Sequence, residues 1–143
     1  MDKTALKTAA AEYGTPLYLF DLDAFTARAE KVRAAFGSHV QLCYSMKANP
    51  FVLRGLPDVF RWVEVCSPGE LTICEKLGIA PERICLDFGI GFGKNIAHNL
   101  ALVQATAHFA DLDYPLMAVV SRKSFIGAMS AESAPAMRDR ASA

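Results

Sequence analysis

Four short apolar runs, at about 40–46, 61–66, 83–88 and 115–121, are separated by stretches whose apolar residues recur at helical spacing. That alternation constrains the fold more than any other feature. A helix between two strands returns the chain to the same end of the sheet, so the strands pair in parallel with right-handed crossovers. The pattern predicts an α/β fold of βα units on a parallel sheet.

Local signals fill in the elements. Residues 3–12 read as a helix that Gly14-Thr15-Pro16 ends, and Leu17-Tyr18-Leu19-Phe20 as a short strand. Asp21 or Asp23 caps the next helix, whose apolar face is Leu22, Phe25, Ala29, Val32 and Phe36, and Gly37 stops it. Residues 51–60 read as a short helix limited by Pro57. Ser67-Pro68-Gly69-Glu70 is a capping box with proline at the first helical position, followed by a buried stripe of Leu71, Cys74 and Leu77. A helix over about 95–110 carries Ile96, Leu100, Val103 and Ala107, and another starts near Phe125. The tail, Ala131 to Ala143, reads as a terminal helix or a frayed end.

The 143 residues make one domain, 1–143. Hydrophobic residues are 52% and charged residues 21%, which excludes a disordered chain. Lysine plus arginine equals aspartate plus glutamate at 15 each, so no basic footprint points to nucleic acid or an anionic membrane. No apolar run approaches the ~20 residues of a membrane span, and Met1-Asp2-Lys3-Thr4 does not open a signal peptide. A cytoplasmic protein is expected. Cys43, Cys66, Cys74 and Cys85 lack CxxC or histidine spacing and read as buried reduced thiols, with no metal site.

The stretch Arg83 to Lys94 is the richest in chemistry. Ile84, Cys85 and Leu86 form a buried strand, and glycines at 89, 91 and 93 follow, bracketed by Asp87 and Lys94. Strand, glycine-rich backbone and helix in succession are where α/β folds place ligands.

Two resemblances meet at this stretch. Tyr13 to Asp21, Tyr44-Ser45-Met46-Lys47-Ala48-Asn49 and Val65 to Leu71 resemble the diaminopimelate/ornithine decarboxylases, pyridoxal phosphate enzymes on an alanine-racemase-like barrel. The resemblance covers about residues 10–84 and implies that Lys47 is the Schiff-base lysine for pyridoxal phosphate. Burial at a strand end would lower the pKa of such a lysine and free its amine. Leu86 to Lys94, His98-Asn99-Leu100 and Ser121 to Gly127 resemble the sixth and seventh units of dihydropteroate synthase, with Phe88 where that family has proline, a change expected to loosen the loop. This second resemblance implies that Asp87 binds a pterin ring, that Phe92 lines the p-aminobenzoate side, and that Ser121 and Lys123 serve pterin and p-aminobenzoate. The chemistry is sensible, since a carboxylate pairs with an aminopyrimidine edge and a lysine donates to a ring carbonyl.

A seam is therefore expected near 81–86, with a decarboxylase-like segment over 1–84 and a synthase-like segment over 85–143. Later parts of the decarboxylase site and early parts of the synthase site have no counterpart, so the reading is a chimeric barrel segment without the native turnover of either parent. The alternatives are pyridoxal phosphate binding through Lys47 and pterin binding through Asp87 and Lys123. Both families are (βα)8 barrels, so the resemblances imply an α/β fold in which parallel βα units form part of such a barrel, completed by oligomerisation or opened into a doubly wound sheet. Four strands cannot close an eight-stranded barrel. Their two edges and inward side chains such as Leu42, Val63, Cys85 and Val119 would face water, which predicts a homo-oligomer with strands paired between copies.

Overall fold

The computed structural model describes residues 2–130 and 134. Its sheet has four parallel strands in sequence order, β1 (Leu42–Ser45), β2 (Phe60–Val65), β3 (Ile84–Asp87) and β4 (Leu116–Met117). The helices are α1 (Lys3–Tyr13), α2 (Leu22–Phe36), α3 (Pro68–Lys76), α4 (Ile96–Gln104), α5 (Thr106–Phe109) and α6 (Ser124–Ser130). This is the expected α/β architecture, a segment of a barrel. Among the described residues no helix is long and apolar enough to cross a membrane.

Register sorts the strand residues onto two faces. Tyr44 aligns with Val63, and Val63 with Ile84. This face carries the main core, in which Val63, Ile84 and Cys74 of α3 are fully buried and Phe25, Leu71 and Leu77 pack from the helices. Phe25, Tyr44 and Phe60 interlock, with ring centroids 5.5–5.9 Å apart. The opposite face aligns Ser45 with Glu64 and Glu64 with Cys85, and carries the polar groups. The expected exposure of Val63 and Cys85 to water is corrected here. Val63 lies on the helix-covered face at 0% exposure, and Cys85 is 6% exposed on the other.

The caps follow the sequence. Asp21 accepts from Ala24 N at 2.9 Å at the start of α2. Ser67 Oγ accepts from Glu70 N at 3.3 Å, but Glu70 reaches back one residue further than a capping box does, to Cys66 N at 2.6 Å.

Other elements differ from expectation. Residues 17–20 join no strand, and Tyr18 is 91% exposed. Residues 50–55 form a 3-10 turn in place of an α-helix, with Pro50 at its start and Asn49 as its cap. The α2 stripe is buried only at its middle, around Ala29, while Leu22 and Phe36 stay exposed. The helix expected over 95–110 breaks at Ala105, and its buried residue is Asn99, while Ile96 and Val103 are exposed. β4 is two residues long because β3 ends at Asp87 and turns into the glycine loop, leaving Ala118 to Val120 nothing to pair with on that side. The tail, apart from Ala134, lies outside the described residues.

Candidate functional site

The polar face of the sheet gathers its groups at the carboxyl ends of β1, β2 and β3. Lys47 stands in the 3-10 turn after β1, Glu64 near the end of β2, Cys66 just beyond it, and Asp87 closes β3. Lys47 Nζ donates to Glu64 Oε1 at 2.7 Å and lies 3.5 Å from Cys66 Sγ. Cys66 Sγ is 3.2 Å from Glu64 Oε1 and 3.9 Å from Asp87 Oδ2.

These contacts set the charges. Burial alone pushes the Glu64 carboxyl up, but hydrogen bonds from Lys47 and Cys66, with the Ser45 hydroxyl close by, outweigh it and bring it down to about 2. Ser45 Oγ leans toward that carboxylate, yet it is buried without a hydrogen bond of good geometry. Burial, then the neighbouring Glu64, raises the Cys66 thiol to about 11.

Lys47 reverses its expectation. Its side chain is 53% exposed, not buried, and the hydrogen bond to Glu64 raises its pKa. As found, the amine is a protonated, ion-paired ammonium with two buried carboxylates, Glu64 and Asp87, on its side of the sheet. That setting fits pyridoxal phosphate poorly, because it withholds the amine from a carbonyl and repels a phosphate.

The loop after β3 is held by its own sequence. Asp87 Oδ1 accepts from Gly89 N at 2.8 Å, so the carboxylate is partly spent on the turn. Lys94 Nζ donates to the carbonyls of Gly89 and Phe92 at 2.8 and 3.2 Å. The bracketing charges therefore do not pair with each other. Gly91 sits at φ +81°, and a Cβ there would lie 2.7 Å from Cδ of Lys123, so the loop needs glycine at this point. Phe88, expected to loosen the loop, stacks on Phe109 with centroids 4.0 Å apart.

The loop presents Phe92 between two lysines. Lys123 Nζ lies 3.9 Å from the ring centroid and Lys47 Nζ 5.9 Å on the β1 side. A chain of contacts thus runs from Asp87 through Cys66, Glu64 and Lys47 to Phe92 and Lys123. Four of the five expected site residues, Lys47, Asp87, Phe92 and Lys123, are brought together, whereas Ser121 is exposed in the turn after β4. Cys66 and Asp87 also line a cleft of about 310 Å³ with Val65, Ser67, Pro68, Leu71, Leu86 and Phe88. Phe92 and Lys123 are not among its walls. A larger apolar groove of about 440 Å³ between α4 and α6 holds none of these polar groups.

Sequence reasoning missed three groups. Glu64 reads as an ordinary alternation in a strand. Cys66 was expected to be buried, and it is exposed. Asn99 is 1% exposed; its Oδ1 accepts from Gly91 N at 2.7 Å, and its Nδ2 donates to the carbonyls of Asn95 and Lys94 at 2.9 and 3.3 Å. A polar residue one turn into a helix, just after a glycine loop, is the signal that marks it.

Fold and site together define a barrel-type α/β segment with a polar cluster at the carboxyl ends of its strands, the face where such barrels carry their ligand sites. The family model described as pterin binding enzyme matches residues 3–143, and the chain belongs to that family. The match runs through the expected seam. Dihydropteroate synthase of Escherichia coli K12 is 41% identical over 85 residues, 57% of this chain and 30% of that protein. Diaminopimelate decarboxylase of Mycobacterium bovis is 37% identical over 103 residues, 67% of this chain and 21% of that protein. The two shares of this chain exceed the whole, so the likenesses overlap. The chain thus spans less than a third of either relative's length. The crystal structure of dihydropteroate synthase from Stenotrophomonas maltophilia with active site-bound imidazole superposes with a TM-score of 0.61 at 22% identity, covering 96% of this chain and 60% of that one, a likeness of fold.

Proposed function

We propose that the chain is a hybrid barrel segment, joined near 81–86, that holds a pterin ring at the mouth of its sheet without the turnover of either parent. The observation that carries this reading is the contact chain linking Asp87 to Phe92 and Lys123. It puts a carboxylate, an aromatic face and an ammonium in one cluster. Asp87 Oδ2 is the oxygen left for an aminopyrimidine edge, since Oδ1 is held by Gly89 N. Lys123 donates to a ring carbonyl, and Phe92 offers a stacking face. Family membership supports the ligand class, and the partial likeness to both relatives supports the hybrid origin.

Binding is expected to be weak, because few walls surround the mouth. Calorimetry with a free pterin tests it. Heat of binding that Asp87→Ala and Lys123→Met each abolish is the expected result. Binding unchanged in both variants refutes the assignment.

The same reading includes a second copy. The outer edges of β1 and β4 have no strand partner among the described residues. Two copies about a common axis would set β4 of each beside β1 of the other, giving eight parallel strands in a closed order. Sedimentation at micromolar concentration is expected to give twice the 15.5 kDa chain mass. A clean monomer with cooperative unfolding removes this part of the reading and leaves the pterin assignment standing.

A further inference from the structure

The polar cluster holds a donor set of which pterin recognition uses one atom, Asp87 Oδ2, and leaves Glu64 and Cys66 unassigned. Glu64 Oε1, Cys66 Sγ and Asp87 Oδ2 all lie within 4.8 Å of one another. For a tetrahedral zinc-type ion, metal–sulfur and metal–oxygen bonds of about 2.3 and 2.1 Å put sulfur and oxygen about 3.6 Å apart. The observed separations from Cys66 Sγ, 3.2 Å to Glu64 and 3.9 Å to Asp87, bracket that value.

Each donor is set by backbone held for another reason. Asp87 Oδ1 is fixed by Gly89 N, which turns Oδ2 toward the sulfur. The Cys66 backbone is fixed by its N–H bond to Glu70. Glu64 sits in the β2 ladder between β1 and β3. Two further observations point to a cation. The ammonium of Lys47 already rests on two of the three donors, at 2.7 and 3.5 Å, so the cluster holds a positive group in this structure. Ser45, which the register places beside Glu64, directs at the cluster a hydroxyl that exposes less than 1 Å² and has no hydrogen-bond partner of good geometry.

We propose that Glu64, Cys66 and Asp87 form a binding site for a divalent ion of the zinc and cobalt class, with Ser45 Oγ beside it and the ammonium of Lys47 as the competing occupant. One soft sulfur with two carboxylates suits borderline ions over magnesium or calcium, which take oxygen donors alone. Binding releases the Cys66 thiol proton to solvent and swings the half-exposed Lys47 side chain off Glu64. The site draws on both β2 and β3; its test does not need the pterin assignment to hold, and an ion and a pterin would compete for Asp87 Oδ2.

Lys47 supplies the discriminating test. Removing a positive charge next to a divalent ion tightens binding about tenfold, whereas loss of a merely structural lysine would not. The experiment is titration of the full chain with cobalt(II), read by the near-ultraviolet sulfur-to-cobalt charge-transfer band. The band is expected in the wild type, to saturate at lower cobalt in Lys47→Met, to weaken in Asp87→Asn, and to vanish in Cys66→Ser. Cys85→Ser controls for the buried thiol on the same face, and far-ultraviolet circular dichroism checks that each variant is folded. No band in the wild type at millimolar cobalt overturns the proposal. So does a band that survives in folded Cys66→Ser, or a Lys47→Met variant that binds no more tightly than the wild type.

Discussion

Replacing Asn99 by alanine is expected to destabilise the protein by about 2 kcal/mol. The side chain is 1% exposed and makes three hydrogen bonds, to Gly91 N, Asn95 O and Lys94 O. At a net worth of ~1 kcal/mol each, the upper figure is about 3 kcal/mol. The Lys94 bond is long at 3.3 Å, and Lys94 and Asn95 are exposed residues, so water can pair with their carbonyls once the amide is gone. Gly91 N–H has no such ready substitute, and the small void left by the amide adds a little. Urea denaturation of wild type and variant measures the difference. Asn99→Leu is the control for volume. It fills the space but leaves the same groups unpaired, so it should cost about as much. A loss below about 0.5 kcal/mol in Asn99→Ala, or a leucine variant as stable as the wild type, would refute the view that this amide pins the loop to α4.

Two further outcomes follow from the same geometry. The folded Glu64 carboxyl lies at about 2, below its ordinary 4.5, so its contribution is present above about pH 4.5 and is lost as the pH falls toward 2. Because its partner Lys47 is half exposed, the contribution is discounted to about 1 kcal/mol; urea midpoints measured from pH 6 to pH 3 should fall more steeply in the wild type than in Glu64→Gln, and parallel curves would count against the ion pair. Gly91→Ala should cost about 1–2 kcal/mol, from the strain of φ +81° and the displacement of Lys123, in the same denaturation assay. An alanine variant of unchanged stability would mean that the loop has another conformation within easy reach.

The sheet was legible because its signal is repeated. Each apolar run of β1 to β3 lies between helical stretches, and the capping residues Asp21 and Ser67 mark where α2 and α3 begin. Expectation failed where tertiary context decides. Leu17 to Phe20 has a strand's composition, but the sheet gives it no partner. The apolar residues of α4 suggest one buried face, yet the helix turns Asn99 inward, where its amide oxygen accepts from Gly91 N of the glycine loop. The site was half legible. Asp87, Phe92 and Lys123 carry motif resemblance, but a pairing such as Lys47 with Glu64, 17 positions apart, depends on parallel register, and no local pattern encodes it. The expected drop in the Lys47 pKa failed for that reason, since it assumed burial and knew of no carboxylate.

The two apolar clusters are of unequal size. The larger takes in α2, α3 and the strands up to Ile84, while the smaller consists of Ile90, Phe125 and Ile126 with Leu102 and Val120 against them. Amide hydrogen exchange should therefore be slow through β1 to β3 and faster in α4 and α6, which open as a separate cooperative unit. The mouth lies between these units: Asp87 ends a strand of the first, and Lys123 precedes a helix of the second. A ligand gripped by both pays for closing the second unit each time it binds, so its apparent dissociation constant is the intrinsic one divided by the closed fraction. By linkage the bound ligand slows exchange in α6, more than twenty residues along the chain from β3.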